Sequence, residues 1–263
     1  MTITAAARIP HPTTPHPTTP VPASPITAAQ PPQPDPAAVA ARYAGRQPTG
    51  WGMDLPGIIT TVPAKNKQMA LTFDACGGPD NDEINTELMD YLVTHRIPAT
   101  LFLNKRWIDA DPARAARLAA DPLFELANHG TRHCPLSVTG RAAYGIAGTR
   151  STQEAVDEVW GNHERLTQLL GHPPRFFRAG TAHYDDLAVA IVRDLGEQPV
   201  GFSINGDAGA TYSAAQVRTA MAAAQPGAIS IAHMHRPKSG TAEGMSVVLP
   251  VLQSRGFEFV KLP

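Results

Sequence analysis

Leu123-Phe124-Glu125-Leu126-Ala127-Asn128-His129-Gly130-Thr131-Arg132-His133 is an apolar run that ends on two histidines four positions apart. The run Leu123 to Ala127 reads as a short buried strand. At the spacing of a helical turn, His129 and His133 fall on one side, where both can bind one metal ion. A second apolar run, Met69-Ala70-Leu71-Thr72-Phe73, ends on Asp74, ahead of Gly77-Gly78. A carboxylate and two histidines at strand ends suit a catalytic Zn²⁺ or a related ion such as Co, Ni or Mn, which takes few protein ligands and keeps a position open for water.

Outward from these two runs the pattern alternates. Strands are expected near 69–73, 98–103, 123–127, 175–177, 199–204, 228–232 and 257–261, and helices near 82–95, 112–120, 152–170, 186–195, 213–223 and 241–254. Pro98 and Pro199 open strands, where a missing N–H is tolerated. Asp111-Pro112, and Thr241 followed by Glu243, read as helix starts. Strands alternating with helices imply a parallel α/β sheet or a distorted (β/α) barrel. In a barrel the chemistry sits at the carboxyl ends of the strands. Asp74, His129, Arg178, Asp207 and His233 each come just after an expected strand, and the Gly-containing stretch from His133 to Ser151 reads as a loop over the same rim.

Bulk properties exclude several classes. The 263 residues suffice for one large domain with a full core. With 22 basic and 23 acidic residues the chain has no basic excess to draw it to nucleic acid. No apolar stretch is long enough to cross a bilayer, and a monomer is expected. Residues 1–35 are rich in Pro, Thr and Ala and are expected to be a disordered tail. Residues 36–66 are expected to form an N-terminal extension, ahead of one folded domain over 67–263. No charged start followed by an apolar stretch marks a signal peptide. Cys76 and Cys134 are the only cysteines. They read as two buried thiols or as a pair able to bridge.

From about Gln68 to Leu262 the chain resembles the polysaccharide deacetylase family, the NodB-homology domain of carbohydrate esterase family 4. Leu71-Thr72-Phe73-Asp74 is similar to the start of the first motif, Thr-Phe-Asp-Asp. Asn128 to His133 is similar to the metal-binding His-x-x-x-His motif, and Phe177-Arg178-Ala179-Gly180 to an arginine-led segment lining the groove. Asn205-Gly206-Asp207 stands where an aspartate supports the catalytic histidine, and Ile231-Ala232-His233 resembles the strand that ends in that histidine. The resemblance implies a distorted barrel with a metal-dependent site, a carbohydrate polymer such as peptidoglycan or a chitin-like glycan as partner, and an extracytoplasmic or cell-wall setting. The first motif departs from the pattern. Its second aspartate, a metal ligand in the family, is here Ala75. Asp74 then serves as ligand, or Asp80 or Asp82 folds back, or the two histidines hold the ion alone.

The resemblance also assigns roles for amide hydrolysis. Asp74 is base or ligand, His233 the acid that protonates the leaving nitrogen, Asp207 its orienting carboxylate, and Arg178 the fixed charge beside Asp74. His183 and Tyr184 are expected at the substrate, with His235 a weaker candidate. Trp51 can stack on sugar rings, whereas Trp107 and Trp160 read as core. His95, His163 and His172 read as solvated. The alternatives are a glycan-binding barrel with impaired catalysis, and an amidohydrolase acting on a non-sugar amide.

Overall fold

The computed structural model describes residues 33–63 and 65–263, together with Met1. The tail expected over 1–35 lies, as far as Pro32, outside the described residues. In chain order the fold begins with α1 (Pro36–Tyr43), β1 (Trp51–Gly52), β2 (Gln68–Ala75), α2 (Thr86–Thr94) and β3 (Ala99–Leu103). It continues with α3 (Lys105–Ala110), α4 (Pro112–Ala120), β4 (Phe124–Asn128), α5 (Thr152–Leu170), β5 (Phe176–Phe177), β6 (Tyr184–Asp185) and α6 (Asp186–Asp194). The last elements are β7 (Gln198–Pro199), β8 (Ile204–Asn205), α7 (Ala214–Ala222), β9 (Ile229–His233), α8 (Thr241–Ser254) and β10 (Glu258–Val260).

Eight of these strands form one parallel sheet in the order β7-β5-β4-β3-β2-β9-β8. The eighth, β10, pairs with the first half of β2, Glu258 opposite Gln68 and Val260 opposite Ala70. Period-two alternation sorts β2 into two faces. Met69, Leu71, Phe73 and Ala75 join the large apolar layer shared with α2, α7 and α8. Ala70 joins the smaller interior cluster with Phe102, Ala127, Phe176, Val200 and Ile229. A strand buried on both faces is apolar throughout, which is why β2, β3 and β9 are continuous hydrophobic runs.

The expected single strand over 199–204 is split, for a reason that also explains the curl of the sheet. β7 pairs with β5 at one end of the sheet, and β8 pairs with β9 at the other. Only residues 200–203 lie between them, so the two sheet edges approach within the reach of that short crossing, about 3.3–3.6 Å per residue. The result is a distorted barrel with an opening at the crossing.

The segment 36–66 packs on the same unit as the barrel, which runs from Gln33 to Pro263. Asp35 caps α1, and Pro36 occupies its first turn. Val39, Ala40 and Tyr43 pack with residues of α5 and α6. The Tyr43 hydroxyl donates to Asp194 at 2.7 Å, and Arg42 pairs with the same carboxylate at 2.6 Å. β1 pairs antiparallel with β6, Trp51 opposite Asp185.

Candidate active site

The histidine pair comes first. β4 delivers Asn128, and the chain then bends rather than entering a helix. The helical turn expected for His129 to His133 does not form. Gly130 has φ 79° and His133 φ 66°, both left-handed. Asn128 Oδ1 accepts from Gly130 N–H, and the Asn104 side chain donates to the carbonyls of His129 and Gly130 at 2.9 and 2.8 Å. Buried Glu158 of α5 accepts from the backbone N–H groups of Arg132 and Cys134 at 3.0 and 3.1 Å. A Cβ on Gly130 would stand 2.4 Å from Glu158 Oε1, so only glycine fits. The two imidazole rings lie edge to face, 4.8 Å between centroids. His129 Nδ1 meets the Arg178 carbonyl at 2.8 Å, which points Nε2 into the site.

The end of β2 supplies the next groups. Asp74 is buried, its Oδ1 accepting from Arg178 Nη1 at 2.7 Å and its Oδ2 lying 3.5 Å from His129 Nε2. Arg178 has no exposed surface and also donates to Thr72 Oγ1 and the Gly201 carbonyl. Ala75 is packed in the outer apolar layer, pointing away from the histidines. Cys76 returns to the inner side, with Sγ 3.8 Å from His129 Nε2. Among the described residues, Cys76, His129 and His133 form the group whose donor atoms all lie within 4.8 Å of one another. Asp74, expected as third ligand, is outside that group, although its Oδ2 lies near His129 and its Oδ1 is held by Arg178. Asp80 and Asp82 are exposed and do not join it. Imidazole nitrogens with a thiol sulfur are a donor set that fits a divalent ion such as Zn²⁺.

Both cysteines are free. Burial pushes the Cys76 thiol up, but the charge of His133 and contacts with His129, His133 and His233 outweigh it and hold the thiol well below its ordinary value. Burial and the Glu158 carboxylate push Cys134 the other way. Burial lowers His129, and the Asp74 charge, the contact and charge of Cys76 and the hydrogen bond to the Arg178 carbonyl together outweigh it and raise the imidazole.

A dyad faces these groups from β9. His233 Nδ1 donates to Asp207 Oδ1 at 2.8 Å, and its backbone N–H donates to Oδ2 at 2.7 Å. Thr241 Oγ1 also donates to Oδ2, at 2.9 Å. Asp207 has no exposed surface. Burial alone would disfavour both charges. The pair reverses this, holding the carboxyl below its ordinary range and lifting the imidazole well above it. His235 is buried beside the dyad, its Nδ1 3.3 Å from the Asp74 carbonyl.

Asp74, Cys76, His129, His133, His233 and His235 line one cavity of about 660 Å³. The loop after β4 contributes Tyr144, which is 77% exposed, and Ile146. Arg106, Arg132 and Arg236 line the same cavity and are exposed, whereas its acidic lining residue is the buried Asp74. Tyr184 is not at this surface. It has no exposed area, and its hydroxyl accepts from Ala179 N–H at 2.8 Å and donates to the Phe177 carbonyl. A strand residue pointing into the core cannot contact a glycan. His183 stands behind the rim, 5.3 Å from the Tyr144 ring and 5.6 Å from Trp51. His163, expected in solvent, is buried and meets Glu197 at 2.7 Å. Trp107 is wholly buried, donating to the Glu83 carbonyl, and Trp160 stacks on His163.

A family described as polysaccharide deacetylase matches residues 61–200. A chitooligosaccharide deacetylase from Bradyrhizobium sp. (strain ANU 289) is 28% identical over 211 residues, spanning 75% of this chain and 90% of the relative. A solved CE4 family pseudoenzyme from Bacillus anthracis is 21% identical, with a TM-score of 0.65 over 80% of this chain and 68% of that one. A family 4 acetyl xylan esterase from Clostridium thermocellum, solved in complex with a cobalt ion, is 23% identical, with a TM-score of 0.60 over 74% of this chain and 88% of that one. These two structures share the barrel fold.

Proposed function

The chain belongs to the polysaccharide deacetylase family, and from that premise we propose that it is a metal-dependent hydrolase that removes acetyl groups from an amino-sugar polymer. The observation that supports this best is the convergence, in one cavity, of the Asp74–Arg178 pair, the donor group around His129 and His133, and the Asp207–His233 dyad. His129 and His133 would hold a divalent ion, which would supply Lewis acidity toward the acetyl carbonyl and the attacking water.

The chain's own residues do the rest. Asp74 takes the proton of the attacking water on Oδ2 while Arg178 keeps Oδ1 occupied and the carboxylate fixed. The His233 imidazolium, held charged by Asp207, gives its proton to the departing amine nitrogen. General acid–base help of this kind is worth about 10²–10⁴-fold in rate. The reaction consumes one water and releases acetate and a free amine. Tyr144, exposed on the rim, offers an aromatic face to a sugar ring.

The rim favours an acid-bearing glycan over a neutral one. Arg132 is shared with Glu158 and Glu154, at 3.5 and 3.8 Å. Arg106 bonds the neutral Asn104 amide and the Cys76 carbonyl, and Arg236 is exposed at the same cavity. Peptidoglycan, whose stem-peptide carboxylates are anionic, suits these guanidinium groups better than a chitin-type oligosaccharide. Acetate release from both substrates, with and without a chelator, tests the reading. Acetate released in the presence of metal, and lost in His233→Ala, supports it. No release from either substrate favours a glycan-binding barrel without catalysis.

A further inference from the structure

We propose that Cys76 is the third protein ligand of the ion held by His129 and His133, replacing a carboxylate and leaving Asp74 free to act as base. The proposal rests on the metal-dependent reading of this cavity and names the residue that completes its donor set.

Four observations lead to it. The first is strand parity. Asp74 and Cys76 lie on the same side of the chain leaving β2, and Ala75 between them is sealed in the apolar layer with Leu103 and Trp107. Position 75 therefore cannot offer a ligand whatever side chain it carries, whereas position 76 faces the histidines. The second is distance. Cys76 Sγ and His129 Nε2 are 3.8 Å apart. Two ligands of one tetrahedral Zn²⁺, with bonds of about 2.3 Å to sulfur and about 2.0–2.1 Å to nitrogen, stand roughly 3.5 Å apart. Little movement is needed to place one ion against both.

The third is that the competing acids do not join the donor group. Asp74 Oδ1 is held by Arg178 at 2.7 Å, and its Oδ2, although 3.5 Å from His129 Nε2, falls outside the group that also takes in His133, while Asp80 and Asp82 are exposed and outside it. The fourth is charge and softness. A thiolate carries the same unit charge as the carboxylate it replaces, so the site keeps its electrostatic balance after the thiol proton is released. Sulfur also favours Zn²⁺ or Co²⁺ over Mg²⁺ or Mn²⁺. Cys134 lacks these features. Its backbone N–H is bound by Glu158, and its sulfur is outside the donor group.

The test uses the full chain, stripped of metal and reloaded with Co²⁺. A cobalt–thiolate bond gives a near-ultraviolet charge-transfer band that oxygen and nitrogen ligands do not. The band is expected in the wild-type protein and in Cys134→Ser, and is expected to vanish in Cys76→Ser and Cys76→Asp. Cys76→Asp restores a carboxylate donor, so it should still bind one ion per chain even if Cys76→Ser does not fold well. In the unmutated protein, Zn²⁺ should protect Cys76 from iodoacetamide, read by mass spectrometry. Cobalt binding with no thiolate band and unprotected Cys76 would overturn the proposal and leave the metal-dependent reading intact. A wild-type chain that binds neither Zn²⁺ nor Co²⁺ would overturn both. An acetyl thioester trapped on Cys76 in metal-free, active protein would also overturn it, making the thiol a nucleophile instead.

Discussion

Arg178 reaches across the barrel interior to Asp74, donating from Nη1 to Oδ1 at 2.7 Å, with the arginine wholly buried and the carboxylate nearly so at the cavity wall. The two residues sit at the ends of β5 and β2, with β4 and β3 between them in the sheet. Only a curled sheet lets them touch. The pair therefore links the fold to the site. Arg178→Ala leaves a buried carboxylate unpaired, which typically destabilises by about 3–5 kcal/mol. Thermal unfolding of Arg178→Ala should show a large fall in Tm, while Asp74→Asn/Arg178→Ala should recover part of it. Equal melting of the single and double variants would mean that the pair does not hold the barrel interior.

The Asp207–His233 dyad makes a pH prediction. His233 is lifted well above an ordinary histidine by Asp207, so it stays protonated at pH values where a free imidazole is neutral. Its contribution to stability is complete below the ordinary histidine pKa and fades as pH rises through the lifted one. Asp207 is depressed, so its contribution is present above the ordinary aspartate range and fades as pH falls through the lowered value. The dyad stabilises most between those two limits. In Asp207→Asn the histidine loses its carboxylate, and the alkaline limb of kcat should move to lower pH. A pH–rate profile checks this, and an unmoved limb would remove His233 from the role of acid.

Glu158 makes no contact with the cavity, yet it binds two N–H groups of the loop that carries His133. Glu158→Gln keeps the shape but replaces one acceptor oxygen with a donor. We expect about a 10–100-fold loss of Zn²⁺ affinity, the range found when groups that orient metal ligands are removed. Competition with a chromophoric chelator measures it. Gly130→Ala should do the same by a different route, since its Cβ cannot coexist with Glu158 Oε1.

Much of this was legible in the sequence. The alternation of strands and helices is strong because parallel strands are apolar on both faces, and Asp74 one residue before the end of β2, Asn128 ahead of His129 at the end of β4, and His233 at the end of β9 stand at their carboxyl ends. The split of 199–204 was not legible, because nothing local tells a chain that it is crossing between two sheet edges. From the sequence Cys76 reads as a buried thiol or as half of a bridge with Cys134, not as a metal donor. Its role depends on which way position 75 points, and that is set by the packing of Ala75 against the outer layer. Tyr184 misled because a tyrosine near a groove and a tyrosine buried with both hydroxyl bonds satisfied share the same local sequence. Glu158 lies 25 residues beyond His133, inside a regular helix pattern, and no spacing rule connects them.

Tyr184→Phe separates the structural role from the expected substrate role. The hydroxyl accepts from Ala179 N–H and donates to the Phe177 carbonyl. Its removal leaves a buried N–H unpaired beside Arg178, which costs about 1–3 kcal/mol. The variant should melt lower and keep its KM for acetylated glycan. A raised KM with an unchanged Tm would return Tyr184 to the substrate.

The last prediction concerns the position where the first motif departs from the family pattern. Restoring the missing carboxylate by Ala75→Asp looks from sequence like a repair that should tighten metal binding. The structure gives the opposite expectation. Ala75 has no exposed surface and packs among Phe73, Leu103 and Trp107. A carboxylate placed there has no partner and must either stay protonated or force the strand apart. Ala75→Asp should therefore lower stability by several kcal/mol, as buried unpaired charges do, and leave Zn²⁺ affinity unchanged or weaker. Cys76→Asp, one residue on, should keep both the fold and the bound ion, because that side chain already faces His129 at 3.8 Å. Chemical denaturation and metal titration of the two variants, run side by side, decide the matter. Tighter Zn²⁺ binding in Ala75→Asp, with stability preserved, would show that β2 can twist at its end to bring position 75 to the ion.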